Sequence, residues 1–169
     1  MSFYRAAISI VAWCIAVAVA APAPAQAQAQ QTFVSGDAGV ALIGPPLVSL
    51  DQWAVALTSR IGLGAEFDHF QVEFDTGVIA LPGVDEGFLL VPSLDASYLF
   101  RSPNANIRPY IGGGLDLIYV VSDYGGFGLP WAHLTFGVDS ALNQRSSVYV
   151  EGRTYGLETQ FSLGSKFRF

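Results

Sequence analysis

The chain of 169 residues contains one cysteine, two histidines and one lysine, Lys166. Cys14 alone excludes a disulfide scaffold and a cysteine-rich zinc site, and two histidines leave little from which to build a His-based metal centre, so no cofactor is expected. Charge is scarce too: 13% of residues are charged, against roughly a quarter in an ordinary soluble domain. Eight Lys and Arg against fourteen Asp and Glu leave a net charge of −6, so the basic face with which a nucleic-acid binder displaces counterions is missing. Acidic substrates are disfavoured for the same reason. There is no Gly-rich phosphate loop, because Gly112-Gly113-Gly114 lies inside an alternating stretch and opens no helix. What the chain holds in quantity is apolar and aromatic residues, 51% and 13%, together with eighteen Gly and nine Pro. That mixture fits a β-rich fold with many turns better than a disordered polar chain.

Residues 1–27 read as a cleavable signal peptide. One positive charge, Arg5, precedes the uncharged stretch Ala6 to Ala20, and small-x-small sites follow in APAPAQAQAQ. Cleavage after Ala25, Ala27 or Ala29 satisfies the small-residue rule, with Ala27 preferred. The apolar stretch is shorter than the ~20 residues that span a bilayer as a helix. Cys14, inside that stretch and behind bulky Trp13, is misplaced for lipoprotein attachment. Residues 28–169 then form one domain, with no linker to divide them.

No later apolar run reaches the length of a membrane helix, so a membrane location requires strands. Period-2 alternation recurs throughout. In FQVEFDTGVIA, Phe70, Val72, Phe74, Val78 and Ala80 share one face while Gln71, Glu73, Asp75 and Gly77 share the other. At the C-terminus Phe161, Leu163, Ser165, Phe167 and Phe169 alternate with Ser162, Gly164, Lys166 and Arg168. Working outward from these, the pattern predicts eight strands over 32–43, 52–66, 70–80, 88–100, 108–121, 129–139, 147–156 and 159–169. Turn-forming residues separate them, including Gly44-Pro45-Pro46, Asp68-His69 and Asp123-Tyr124-Gly125-Gly126.

Alternation alone does not say which face points inward. A soluble ligand carrier of the lipocalin kind turns its apolar face in, and a membrane barrel turns it out. The single lysine and the small residues crowding the polar face favour the membrane. Aromatics also gather near strand ends, with Trp53, Phe88 and Tyr119 toward one rim and Phe70, Phe74, Tyr98, Phe100, Phe167 and Phe169 toward the other, as interfacial girdles do. The expected fold is therefore an all-β, eight-stranded antiparallel up-and-down transmembrane barrel. It must close, because an unpaired strand edge in hydrocarbon costs several kcal/mol per group. With an even strand count both termini fall on one side, and export through a signal peptide makes that side the periplasm.

IRPYIGGG (107–114) with the alternating Leu115, Leu117 and Tyr119, VYVEGR (148–153) and the closing QFSLGSKFRF (160–169) resemble, in that order, segments of the small OmpA- and OmpX-type outer-membrane barrels. The resemblance covers the whole region after the signal peptide. It implies that Phe167 and Phe169 act as the terminal signal read by the barrel-assembly machinery, and that Glu151 and Arg153 face the lumen. It also implies outer-membrane lipid and lipopolysaccharide as partners and a structural or surface-interaction role. The supposed surface loops, 44–51, 81–87, 122–128 and 157–158, are short, which weighs against a large adhesive surface.

Eight strands leave an interior that side chains fill, so a polar plug is expected in place of an open pore. The polar parity places Asp37, Arg60, Glu66, Glu73, Asp75, Asp95, Asp116, Asp139, Glu151, Arg153, Lys166 and Arg168 inside, where charges must be paired. The predicted network joins Glu151, Arg153, Lys166 and Arg168 across strands seven and eight, with Asp37 in reach, and pairs Arg60 with strand-three carboxylates Glu73 and Asp75. A narrow ion or small-solute channel is the alternative use of such a lumen. Catalysis is a weaker alternative. His133 shares a face with Thr135 and could be oriented by Glu151 or Asp139, but the lipid A deacylase barrels carry a His-x-Ser pair where this chain has Glu151 and Arg153. His69, beside Asp68, reads as a solvated turn residue. Asp51, Asp85 and Glu86 are loop carboxylates for which solvation is the simpler reading than cation binding.

Overall fold

The computed structural model describes residues 31–44, 53–80, 88–101, 106–122, 125–155 and 158–169. The signal-peptide reading of 1–27 and the loop carboxylates Asp51, Asp85 and Glu86 lie outside the described residues. Eight strands follow one another: β1 (Gln31–Ile43), β2 (Ala54–Phe67), β3 (Phe70–Ala80), β4 (Phe88–Leu99), β5 (Ile107–Ser122), β6 (Gly125–Ala141), β7 (Ser146–Tyr155) and β8 (Glu158–Arg168). Each pairs antiparallel with its neighbour, and β1 pairs with β8 to close the barrel. No helix among the described residues is long and apolar enough to cross a membrane.

Seven strands match their predicted spans within two residues. The exception is β6, which begins four residues early, so that the expected loop over 122–128 is mostly strand. Gly125 to Gly128 continue the ladder opposite Ser122 to Tyr119, because glycines that signal a turn in sequence also fit between paired strands. β6 consequently outreaches β7, with which it pairs only from Leu134 onward.

The turns on the terminal side are compact. Asp68 and His69 form a two-residue connection, and the His69 carbonyl accepts the Leu99 N–H at 2.7 Å. The Asn143 side-chain oxygen accepts the N–H groups of Arg145 and Ser146 at 2.8 and 2.9 Å, the local bonding that makes Asn a turn former. Around this rim Phe70, Tyr98 and Phe100 contact edge-on, and His69 stacks on Tyr98.

Parity decides the two surfaces. Leu57, Ile61, Leu94, Leu115, Leu134, Val150 and Leu163 project outward and are exposed. Twelve predicted inward charges point into the lumen, and none of them is exposed. The barrel has the outside-apolar arrangement, and the lipocalin-like alternative is excluded by it. Close approach inside depends on glycine. A Cβ on Gly112 would strike the Ala96 carbonyl oxygen and Ser97, and one on Gly64 would strike the Phe33 ring, which lies over it from the paired position. Tyr110 over Gly137 and Tyr149 over Gly164 repeat this inward pairing of ring and glycine.

One ladder is incomplete. β4 and β5 keep a single register from Phe88↔Val121 to Leu99↔Tyr110, yet Val91 and Pro92 are not paired with Ile118 and Leu117. Pro92 has no N–H to contribute.

Gly36 has open space at its Cβ position, the nearest atom being the Arg60 carbonyl oxygen at 3.9 Å. Gly36→Ala is therefore expected to leave the urea midpoint in detergent unchanged, while Gly112→Ala lowers stability by about 1–3 kcal/mol through overpacking.

Candidate functional site

The lumen has three levels. Nearest the termini, the Glu66 carboxylate receives Arg101, Arg108 (2.6 Å) and Arg168 (2.9 Å), and Asp139 receives Arg108 and Arg168, both at 2.8 Å. Arg168 also donates to Ser147 at 2.9 Å. Three guanidinium groups thus share two carboxylates drawn from β2 and β6.

The middle level is built on Arg60 and Arg153. Arg60 Nη2 reaches Asp37 on β1 and Glu151 on β7, each at 2.7 Å. Arg153 donates through Nε to Glu151 (2.9 Å) and through Nη2 to Asp75 (2.6 Å) and Asp95 (3.1 Å). Glu151 Oε1 bridges the two guanidinium groups, and Tyr110 donates to its other oxygen at 2.8 Å. No space for a water molecule remains among Ser35, Asp37, Arg60, Glu73, Asp75, Tyr149, Glu151 and Arg153. Such geometry lets buried charges compensate their lost hydration.

Lys166 has a separate setting. Its ammonium lies 5.0, 5.3 and 4.9 Å from the ring centres of Phe33, Tyr110 and Tyr149, within the range of cation–π attraction. It donates to Gln71 at 3.0 Å and lies 3.8 Å from Glu73. The rings that cover glycines across the strand pairs thus form an aromatic box around the chain's one ammonium side chain.

These contacts differ from the sequence prediction in detail. Glu151 and Arg153 do meet, but Lys166 turns toward β3 and Arg168 toward Glu66 and Asp139. Arg60 favours Asp37 and Glu151 over strand three, where Asp75 stands 3.8 Å away. Asp37 is the directly paired neighbour of Arg60 on β1, whereas Glu151, like the partners of Lys166 and Arg168, lies on a non-neighbouring strand and is reached across the lumen, which strand adjacency cannot forecast. His133 is held by Asp95 on β4 and lies 3.1 Å from Asp116 on β5, instead of meeting Glu151 or Asp139. Thr135 has no hydrogen-bond partner for its hydroxyl, so no hydroxyl–His–carboxylate relay forms. His69 sits at the rim, 3.5 Å from Asp68. Phe167 and Phe169 face outward, and Phe169 is tied to β1 through its N–H to the Thr32 carbonyl at 3.0 Å. Among the described residues no cluster of metal-ligating side chains forms a cation site.

The loop-side level is apolar, so the expected polar plug does not extend the full length of the lumen. Ala41, Ile43, Ala56, Leu89, Val91 and Ile118 point inward and are buried, with Ile79 and Trp131 packed against them. In sequence they are hidden in near-continuous apolar runs such as GFLLVP, where alternation gives no sign of the inner face.

A closed eight-stranded antiparallel barrel, apolar outside and ionic within, has the architecture of small transmembrane β-barrels. Solved structures share it. Neisserial surface protein A (NspA) aligns with a TM-score of 0.67 and 19% identity, over 82% of this chain and 97% of that one. The N-terminal β-barrel domain of Pseudomonas aeruginosa OprF aligns with 0.53 and 22%, over 84% and 100%. Ail, the attachment invasion locus protein of Yersinia pestis, solved with the heparin analogue sucrose octasulfate, aligns with 0.54 and 16%, over 82% and 98%. At these identities the likeness is one of fold. No family model matches the chain, and no curated protein matches it.

Removing Arg153 takes one cation from Asp75, Asp95 and Glu151 at once and leaves Arg60 and His133 to compensate all three in a closed interior. Arg153→Leu is expected to destabilise the barrel by about 3–5 kcal/mol in urea titrations. Lys166→Met, which leaves one carboxylate at 3.8 Å and keeps the apolar stem in its box, costs less in the same assay.

Proposed function

We propose that this chain is an integral outer-membrane protein of a double-membraned bacterium, of the OmpA/OmpX type, with both termini in the periplasm and a lumen closed to solutes. The observation that carries this reading is the inversion of polarity. The wall bears leucine, isoleucine and valine toward its surroundings, while the interior holds eight carboxylates that receive guanidinium, ammonium and imidazole groups without leaving a water path through the middle level. Only a hydrocarbon phase makes that arrangement favourable.

The role is structural or directed at the cell surface, and non-enzymatic. Two of the proteins that share the fold are named for surface exposure and attachment. A polyanion of the kind bound to Ail is a poor ligand here, given the net charge of −6. Outer-membrane lipid and lipopolysaccharide surround the wall, and the barrel-assembly machinery recognises the terminal strand through Phe167 and Phe169. The channel alternative is disfavoured because every described lumen cation is held by at least one carboxylate within 4 Å.

Three measurements test the reading. The protein is expected in the outer-membrane fraction, migrating as a compact species in SDS until boiled, and recovery from the soluble periplasm would overturn it. In planar bilayers no stable large conductance steps are expected; their appearance would replace the plug by a channel. His133→Ala is expected to leave the lipid A acylation profile of isolated outer membranes unchanged, and an altered profile would restore the enzyme reading.

A further inference from the structure

The fixed charges of the lumen do not balance. Eight inward carboxylates, each with a side chain at most 10% exposed, meet five arginines and one lysine. At the terminal level Arg101, Arg108 and Arg168 exceed Glu66 and Asp139 by one charge. Above it Asp37, Glu73, Asp75, Asp95, Asp116 and Glu151 have only Arg60, Arg153 and Lys166. Two negative charges remain over the whole lumen. No further Lys or Arg can offset them, because the one other beyond residue 30, Arg145, is exposed in the β6–β7 turn. The middle level has no space for a water molecule, and therefore none for a hydrated ion. A proton needs no such space, and uncompensated charge in a closed interior costs several kcal/mol.

The shortfall is sharpest at the loop-side end of the ionic region. Asp116 is fully enclosed and has no Arg or Lys within 4 Å, its one basic neighbour being His133. Beyond it the lumen is apolar, with Leu89, Val91 and Ile118. The His133 ring faces carboxylates on both sides. Nε2 lies 2.5 Å from Asp95 Oδ1, while Nδ1 stands 3.1 Å from Asp116 Oδ2, and neither of this second pair of atoms has a hydrogen-bond partner elsewhere. A neutral imidazole has one N–H. With Nε2 donating to Asp95, a bare Nδ1 lone pair would therefore point at a bare carboxylate oxygen. One proton at that contact, on ring or carboxyl, makes it attractive. The other groups around the pair leave this need unmet: Ser93 donates to the second oxygen of Asp116, Arg153 is drawn to Asp75, Asp95 and Glu151, and Tyr155 packs on the ring.

We propose that the folded barrel holds two protons at pH 8 that its unfolded chain releases, one of them between His133 and Asp116. The plug is thus a proton-binding site. Because the folded state binds more protons, the barrel gains stability as the pH falls and loses it as the pH rises. The inference rests on the closed lumen and holds whatever surrounds the wall.

Proton uptake on folding tests this. At pH 8 an unfolded chain has ionised carboxylates and neutral imidazoles, so protons taken up report the folded lumen. The chain is diluted from urea into weakly buffered detergent micelles with a pH-indicator dye, and heat-modifiable migration verifies folding in each sample. Uptake of about two protons per barrel is expected, falling to about one in Asp116→Asn and staying at about two in Asp68→Asn, which alters an exposed rim carboxylate. Urea titrations give the same count in the parent without a variant: between pH 7.5 and 8.5 its folding equilibrium constant is expected to fall about a hundredfold. Uptake of less than about one proton by the parent, or a folding constant independent of pH over that interval, overturns the proposal. So does an Asp116→Asn barrel that takes up as many protons as the parent.

Discussion

A strand in hydrocarbon has no water with which to satisfy its N–H and C=O groups, and every other feature of this barrel follows from that constraint. The sheet must close, so β8 returns to β1 and Phe169 is bonded to Thr32. Closure with eight strands fixes a narrow lumen. A narrow lumen that receives alternate residues from every strand must then be filled with side chains that fit and are electrically matched. The ionic clusters are thus a consequence of closure as much as a device of their own: once polar residues take the inner parity, pairing them across the lumen is the only way to avoid leaving a charge buried alone.

Filling the lumen is achieved with unequal partners. Large groups such as Tyr110, Tyr149 and Phe33 lie over Gly137, Gly164 and Gly64 on adjacent strands, and the glycines make room that any side chain would occupy. The same rings then surround the Lys166 ammonium. Packing and electrostatics are therefore not separable here: a substitution that enlarges Gly137 or Gly164 displaces a ring, and displacing the ring removes part of the setting of a buried cation.

Much of this was legible from sequence. Strands with strict alternation, such as β3 and β8, show their inner face directly, so Glu73, Asp75, Lys166 and Arg168 are assigned to the lumen from parity alone. Partner choice is not legible, because Arg60 and Arg153 span the lumen to meet carboxylates that are close in space and remote in sequence. The apolar level was hidden for a different reason. Where β4 and the end of β5 are apolar on both faces, the period-2 signal vanishes, and Leu89, Val91 and Ile118 cannot be told from their lipid-facing neighbours. Gly125 to Gly128 misled in the opposite sense, since the composition of a turn also suits a strand.

The seam between β1 and β8 has a kinetic meaning. Seven of the eight strand pairs join neighbours in sequence and can zip locally, whereas the bonds between Thr32 and Phe169 link residues 137 positions apart. The order of assembly is thereby biased: hairpins form early, the long β5–β6 pair among them, and the seam is the natural last step, carrying the largest loss of chain entropy. Until it shuts, β1 and β8 each present a bare row of donors and acceptors, which is the state most exposed to mispairing and aggregation.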